Sequence, residues 1–213
     1  SPTDMGVNMV GNCISDDDIC CKAANDEIIR RYYSALDQMA DGEDNESEVG
    51  KIALLLKQAR ITTEYRRVTV AAKQREATAG NPSAAIELSD GTILSAETSD
   101  LLGPCAALLL KATKHLSGID HSVKLIPGRL IEPIQKTKVT YLHGKNPRLH
   151  TDEVLIALSV LSPDDENCRK ALDTLPLLKG CQVHSTVLLS DIDKKVFKKL
   201  GVDLTCEPVH ERH

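Results

Sequence analysis

With 213 residues, 41% of them hydrophobic and 27% charged, the chain is long enough to bury a core and too apolar to be a disordered segment. Lys and Arg total 26 against 31 Asp and Glu, for a formal net charge of -5, and there is no Trp and a single Phe, Phe197. Without a basic excess or aromatic stacking platforms, no nucleic-acid partner is expected. The core must be built from Leu, Ile, Val and Ala.

Residues Gly6 to Ala24 alternate apolar and polar side chains around Ser15 to Asp18, which predicts two short strands flanking an acidic turn. Asn25 then caps a helix bearing Ile28, Ile29, Tyr32, Tyr33 and Leu36 that ends near Gly42. Asn45 and Glu48 stand at capping-box spacing before a second helix, with Val49, Ile52, Leu55, Leu56 and Ala59 on one face. A third helix, from about Thr63 to Gly80, is richly polar and is expected to be the most exposed of the three.

Ala84 to Leu88 and Thr92 to Ala96 read as a hairpin, because Asp90-Gly91 supplies the positive backbone angles of a tight turn. Gly103-Pro104 opens a helix through Leu116, closed by Gly118 and apolar nearly all round, as a buried central helix requires. Lys124 to Pro127 is a strand candidate, and Ile131 to Leu142 a helix. Thr151 is expected to cap a helix carrying Val154, Leu155, Leu158 and Leu161, and Ser162 to Asp165 to start its antiparallel partner, which stops at Gly180.

The last unit is the clearest. Gln182 to Leu189 is β-rich, Ser190 and Asp193 mark a helix start, Val196, Phe197 and Leu200 form its apolar face, and Val202 to Cys206 is a second strand. The tail after Pro208 is expected to fray. The predicted fold is therefore mixed α/β: a modest sheet of β-hairpins and a C-terminal βαβ-type unit, covered by about seven helices. The chain reads as a single domain, 1–213, with a division into 1–97 (hairpins plus helices) and 98–213 (an α/β part) as the alternative.

The longest apolar run, Cys105 to Leu110, is too short to cross a bilayer, so no membrane partner is expected. The start, Ser1-Pro2-Thr3, has neither the basic residues nor the apolar stretch of a signal peptide, and without an initiator Met it reads as a processed or excised piece. Seven cysteines at irregular spacing point to reduced thiols and a cytoplasmic location.

Four arrangements bear on chemistry. Cys181 and His184 have Cys-x-x-His spacing, but no second pair completes a zinc site, so no metal is expected. His184 and Ser185 are neighbours on a strand and point to opposite faces, so they do not form a dyad. No Gly-rich phosphate loop is present, although the helix opening at Gly103-Pro104 offers unpaired N–H groups to an anion. The densest polar constellation is Lys145 to Glu153, in which Asn146, Arg148, His150 and Asp152 gather immediately before a helix. A guanidinium and an imidazole there could hold a phosphate or carboxylate, with Asn146 orienting it. The bland alternative is a structured loop in which Arg148 pairs with Asp152 or Glu153 and His150 caps a turn. Glu132, between Ile131 and Pro133, is a further acid that apolar surroundings would make harder to ionise, the alternative being a simply exposed carboxylate.

Several strings carry a resemblance: Ser1 to Met9, Glu27 to Tyr33, Ala85 to Ile93, Ile131 to Gln135, Asn146 to Ser159, His184 to Val187 and Leu204 to Pro208. Along essentially its whole length the chain resembles the bacterial family known as domain of unknown function 1846. The resemblance implies a cytosolic bacterial protein, of which this chain is the C-terminal part. It also implies a longer polypeptide whose N-terminal part carries a Gly-rich segment ending in Gly-Lys, suited to the phosphates of ATP or another phosphate ligand. That segment is not in this chain, and the family supplies no catalytic residues to carry over. The expected function is the C-terminal domain of a nucleotide- or phosphometabolite-dependent enzyme. Its small-molecule cleft would be lined by Asn146, Arg148, His150 and Asp152, with His184, Ser185 and Thr186, and shared with the N-terminal part. The rival is a non-catalytic module that mediates homo-oligomerisation.

Overall fold

A computed structural model describes residues 16–210. The first helix, α1 (Asp17–Ala40), starts earlier than the sequence pattern suggests. The side chain of Asp16 accepts the Ile19 N–H at 3.0 Å, and Asp17 and Asp18 occupy the first turn. Carboxylates there satisfy unpaired N–H groups and the helix dipole. The acidic run is therefore a helix start rather than a turn. The expected second strand up to Ala24 is helical, and Asn25 lies inside the helix; the expected first strand lies outside the described residues. α2 (Glu46–Gln58) starts after Asn45 as expected, but the Asn45 side chain makes no cap bond to the helix, and its amide donates to Gln38.

A 3-10 turn at Thr63–Tyr65 leads into α3 (Arg67–Ala79), which ends on Gly80 at φ +72°. α3 is not a surface helix. Val68, Thr69 and Ala72 are buried against the sheet, and its polar residues reach across to the strands. Arg67 pairs with Glu87 at 2.8 Å, and the Arg75 Nε donates to Glu97 at 2.6 Å. A narrow stripe of small residues is enough to dock a helix whose long side chains bond at the rim.

β1 (Ser83–Glu87) and β2 (Ile93–Glu97) form the expected hairpin, with Ala85 opposite Ser95 and Gly91 at φ +83°. β3 (Gln182–Ser185), α8 (Asp191–Lys199) and β4 (Asp203–Cys206) form the expected βαβ unit, its strands parallel. β1 joins the hairpin to this unit by pairing antiparallel with β3, so the sheet order is β2-β1-β3-β4. Alternation assigns the faces. Ala84, Ile86, Val183 and Cys206 meet α4 (Pro104–Leu116) and Phe197 of α8, whereas Ala85 meets Val68 and Ala72 of α3.

α4 is buried on both sides, as its all-round apolar surface requires. Leu108 and Leu109 face the sheet, and Ala106 faces a second core made with Leu149, Val154, Leu158 and Cys168. The run Lys124 to Pro127 is not a strand; Leu125 and Ile126 plug this second core, and the Leu125 carbonyl accepts from the Cys168 thiol. α5 (Gly128–Lys136) contains Pro133 and continues into a π-helical turn, Thr137–Tyr141. α6 (Thr151–Leu161) and α7 (Glu166–Asp173) pack as the expected helical hairpin. α7 stops at Asp173, however, and a 3-10 turn, Leu175–Leu178, carries the chain to Gly180. The described residues hold eight α-helices, six free cysteines and no helix long and apolar enough to cross a membrane.

Candidate functional site

The loop before α6 is fixed by its own polar groups. The Asn146 side-chain oxygen accepts the Arg148 N–H at 3.0 Å, which folds the chain back on itself. Leu149, fully buried, then pairs its backbone with the residues before α4: its N–H donates to Leu101 O, and its carbonyl accepts from Gly103 N–H. Arg148 Nε donates to the Ser99 carbonyl at 2.9 Å. Lys138 holds the Arg148 carbonyl at 2.5 Å and the Glu153 carboxylate at 2.7 Å.

His150, not Thr151, is the residue before the first helical position of α6, and Glu153 turns back to accept its N–H at 2.8 Å. Its imidazole Nδ1 lies 3.0 Å from Oδ2 of Asp193, in the first turn of α8. The other oxygen of Asp193 accepts both the Thr151 N–H, at 2.9 Å, and the Thr151 hydroxyl, at 2.8 Å. Ser190, the cap of α8, donates to Oδ2 at 2.8 Å. One buried carboxylate thus joins the starts of α6 and α8.

The electrostatics follow from these bonds. Burial pushes the Asp193 carboxyl up, but the bonds from His150 and Thr151 outweigh it and hold the group below its ordinary range. The hydrogen bond to Asp193 raises the His150 pKa above its ordinary value, against the opposing effect of burial. With Nδ1 committed to Asp193, Nε2 is the nitrogen left to serve a ligand.

These residues wall a cleft of about 320 Å³ beyond the carboxyl end of β3, where the starts of α4, α6 and α8 converge. Pro104, Arg148, His150, Ser190 and His210 line it, and Val187 to Leu189 form an apolar wall. Clefts outside the carboxyl ends of strands are the usual ligand positions in α/β folds. A larger groove, about 540 Å³, runs between α1 and α8 along β4. There Lys194 is bonded to Asp37 at 2.7 Å and Arg30 to Glu27.

Of the residues singled out from sequence, Asn146, Arg148 and His150 line the smaller cleft, and Asp152 stands beside it on α6. His184, Ser185 and Thr186 are elsewhere, buried in the sheet. His184 faces α1 and α3, its Nδ1 2.9 Å from the Thr205 hydroxyl and its ring centroid 4.9 Å from that of Tyr33. Its Nε2 is 3.4 Å from Glu207, which also accepts from Tyr33 and Lys73. Burial lowers the His184 pKa. The Ser185 hydroxyl donates to Val187 O and that of Thr186 to Glu76. Cys181 lies in the core on the opposite sheet face from His184, and Glu132 is exposed.

Asp193 and His210 were not read as site residues. Ser190 and Asp193 show the spacing of a helix start, and nothing in that spacing reveals that the carboxylate also serves a second helix 42 residues upstream. His210 follows Pro208 in the segment expected to fray, yet the Val209 carbonyl accepts the Leu188 N–H at 2.8 Å and ties the tail to the cleft wall.

Residues 64–213 match the C-terminal domain, and residues 1–60 the N-terminal domain, of the family described as domain of unknown function DUF1846. Similar proteins include UPF0371 proteins of Corynebacterium urealyticum, 49% identical over 212 residues, and of Corynebacterium glutamicum, also 49% identical over 212 residues. A UPF0371 protein of Streptococcus pyogenes is 44% identical over 213 residues. In each case the match covers all of this chain and 43% of the relative, so the chain spans less than half the length of these proteins. The chain belongs to the DUF1846 family.

Proposed function

We propose that the cleft at the starts of α4, α6 and α8 binds a small phosphate- or carboxylate-bearing metabolite. On this reading the longer family polypeptide is a nucleotide- or phosphometabolite-dependent enzyme, and this chain supplies one wall of its site. The observation that carries the reading is the His150–Asp193 pair at the mouth of the cleft, beside Arg148. A carboxylate that holds one imidazole nitrogen favours the imidazolium and directs its second N–H toward a ligand, and a charged donor beside a guanidinium suits an anion. The apolar wall from Val187 to Leu189 suits the ligand's carbon skeleton. Calorimetric titration with inorganic phosphate, sugar phosphates and nucleoside phosphates tests the assignment. Binding should weaken by tenfold or more in Arg148→Ala and His150→Ala, and unchanged affinity in both variants would refute it. The free thiols among the described residues, four of them buried, favour a cytoplasmic setting.

A second reading, non-catalytic self-assembly, is favoured by Ile156 and Val160, one turn apart on α6 and 62% and 68% exposed. Light scattering across a concentration series tests it, and a strictly monomeric chain would exclude it.

A further inference from the structure

The apolar surface of α2 is wider than its neighbour covers. Ile52 and Leu56 are buried, with Val49 half-buried, against Ile28, Ile29 and Tyr33 of α1. At 3.6 residues per turn, Leu54 falls on the side of the helix opposite that stripe, and Leu55 on the stripe's outer flank. They are 56% and 48% exposed. Among the described elements, α1 is the principal neighbour of α2. A helix that is apolar on more than one side is normally enclosed on more than one side. Adjacent exposed leucines leave that requirement unmet.

Two further facts identify the occupant. α1 and α2 lie in the stretch that matches the family's N-terminal domain, whereas α3 and everything after it match the C-terminal domain. The relatives are more than twice as long as this chain, which covers 43% of them. We infer that the outer face of α2, centred on Leu54 and Leu55, is an internal docking surface that receives the remainder of the family's N-terminal domain. In the longer polypeptide α1 and α2 then join two bodies: Ile52 and Leu56 face the helix that leads to the sheet, and Leu54 and Leu55 face the partner domain.

Amide hydrogen exchange tests this on two proteins, the present chain and a full-length family polypeptide carrying the same residues. Exchange within α2 should be slower in the full-length protein by about tenfold or more, the protection expected from burying leucine side chains. The double variant Leu54→Lys/Leu55→Lys should restore fast exchange in α2 of the full-length protein while leaving α4 protected. Equal exchange of α2 in the two proteins would overturn the inference. So would concentration-dependent protection of α2 in the present chain accompanied by a dimer in light scattering, because a second copy would then be the occupant.

Discussion

Asp193 Oδ1 accepts two hydrogen bonds from Thr151, from its N–H at 2.9 Å and its hydroxyl at 2.8 Å, although the residues are 42 positions apart. Through this contact α8 of the βαβ unit caps α6 of the helical layer. The candidate cleft is therefore held between two packed bodies instead of on a loose loop.

Asp193→Ala should be among the most damaging polar substitutions in the chain. It leaves the Thr151 N–H, the Ser190 hydroxyl and the His150 imidazole without their shared acceptor in a buried place, at a cost of roughly 2–3 kcal/mol. Asp193→Asn keeps one acceptor oxygen and should lose less. Urea denaturation of the two variants checks the order.

The His150–Asp193 pair predicts a pH dependence with two limbs. His150 has its pKa raised above 6.5 in the folded chain, so its contribution is complete below that value and is lost as pH rises through the folded pKa. Asp193 is depressed below 3.8, so its contribution is present above that value and is lost as pH falls through the lower folded one. Melting temperature against pH should therefore fall on the alkaline side of 6.5 in the wild type. His150→Gln should flatten that limb and shrink the acid limb without abolishing it, because the Thr151 bonds still hold Asp193 low.

Glu207 gives a separate acid limb. Burial opposes its ionisation, but the neighbouring His184 ring and hydrogen bonds from Lys73 and Tyr33 dominate and bring its pKa to about 2 from 4.5. Its contribution is present above pH 4.5 and disappears as pH falls toward 2. Glu207→Gln should reduce stability at neutral pH and shrink the loss between those values. Acid unfolding followed by circular dichroism reports both effects.

Leu108→Ala should cost about 2–5 kcal/mol, since Leu108 is fully buried between the sheet and the second core. Ile156→Ala, at an exposed position, should change stability by less than about 0.5 kcal/mol. Denaturant midpoints at equal slope make the comparison.

The legible parts of the fold were those in which local chemistry and packing agree. The Asp90-Gly91 hairpin, the Gly103-Pro104 helix and the βαβ unit each combine a turn or cap residue with the right apolar period. Errors came where one local pattern has two readings. Asp16 to Asp18 fits a turn or a helix start, and only the helix that follows decides. Leu125-Ile126 is equally a short strand or a plug, and the Cys168 contact that makes it a plug is 43 residues away. α3 looked exposed because its polar residues are many, yet they bond to strands that the sequence does not place beside it.

The candidate site divided in the same way. Asn146, Arg148 and His150 were visible as a dense polar run before a helix, whereas their partners, Asp193 and Ser99, are joined to them only by the fold. His184, Ser185 and Thr186 drew notice by type, but the register that pairs His184 with Ala85 and Thr205 places them inside the sheet, away from that cleft.

The central proposal is that the cleft beside His150 takes an anionic metabolite, and a thermal-shift series addresses it most directly. The wild-type chain, Arg148→Ala and His150→Ala are melted with increasing inorganic phosphate, sugar phosphates and nucleoside phosphates. At a hundred times the dissociation constant, a ligand of the native state adds about 2.7 kcal/mol, a rise of several degrees for a chain of this size. The predicted result is a concentration-dependent rise for at least one phosphate compound in the wild type, lost in both variants. No rise with any compound, or an equal rise in all three proteins, would contradict the assignment.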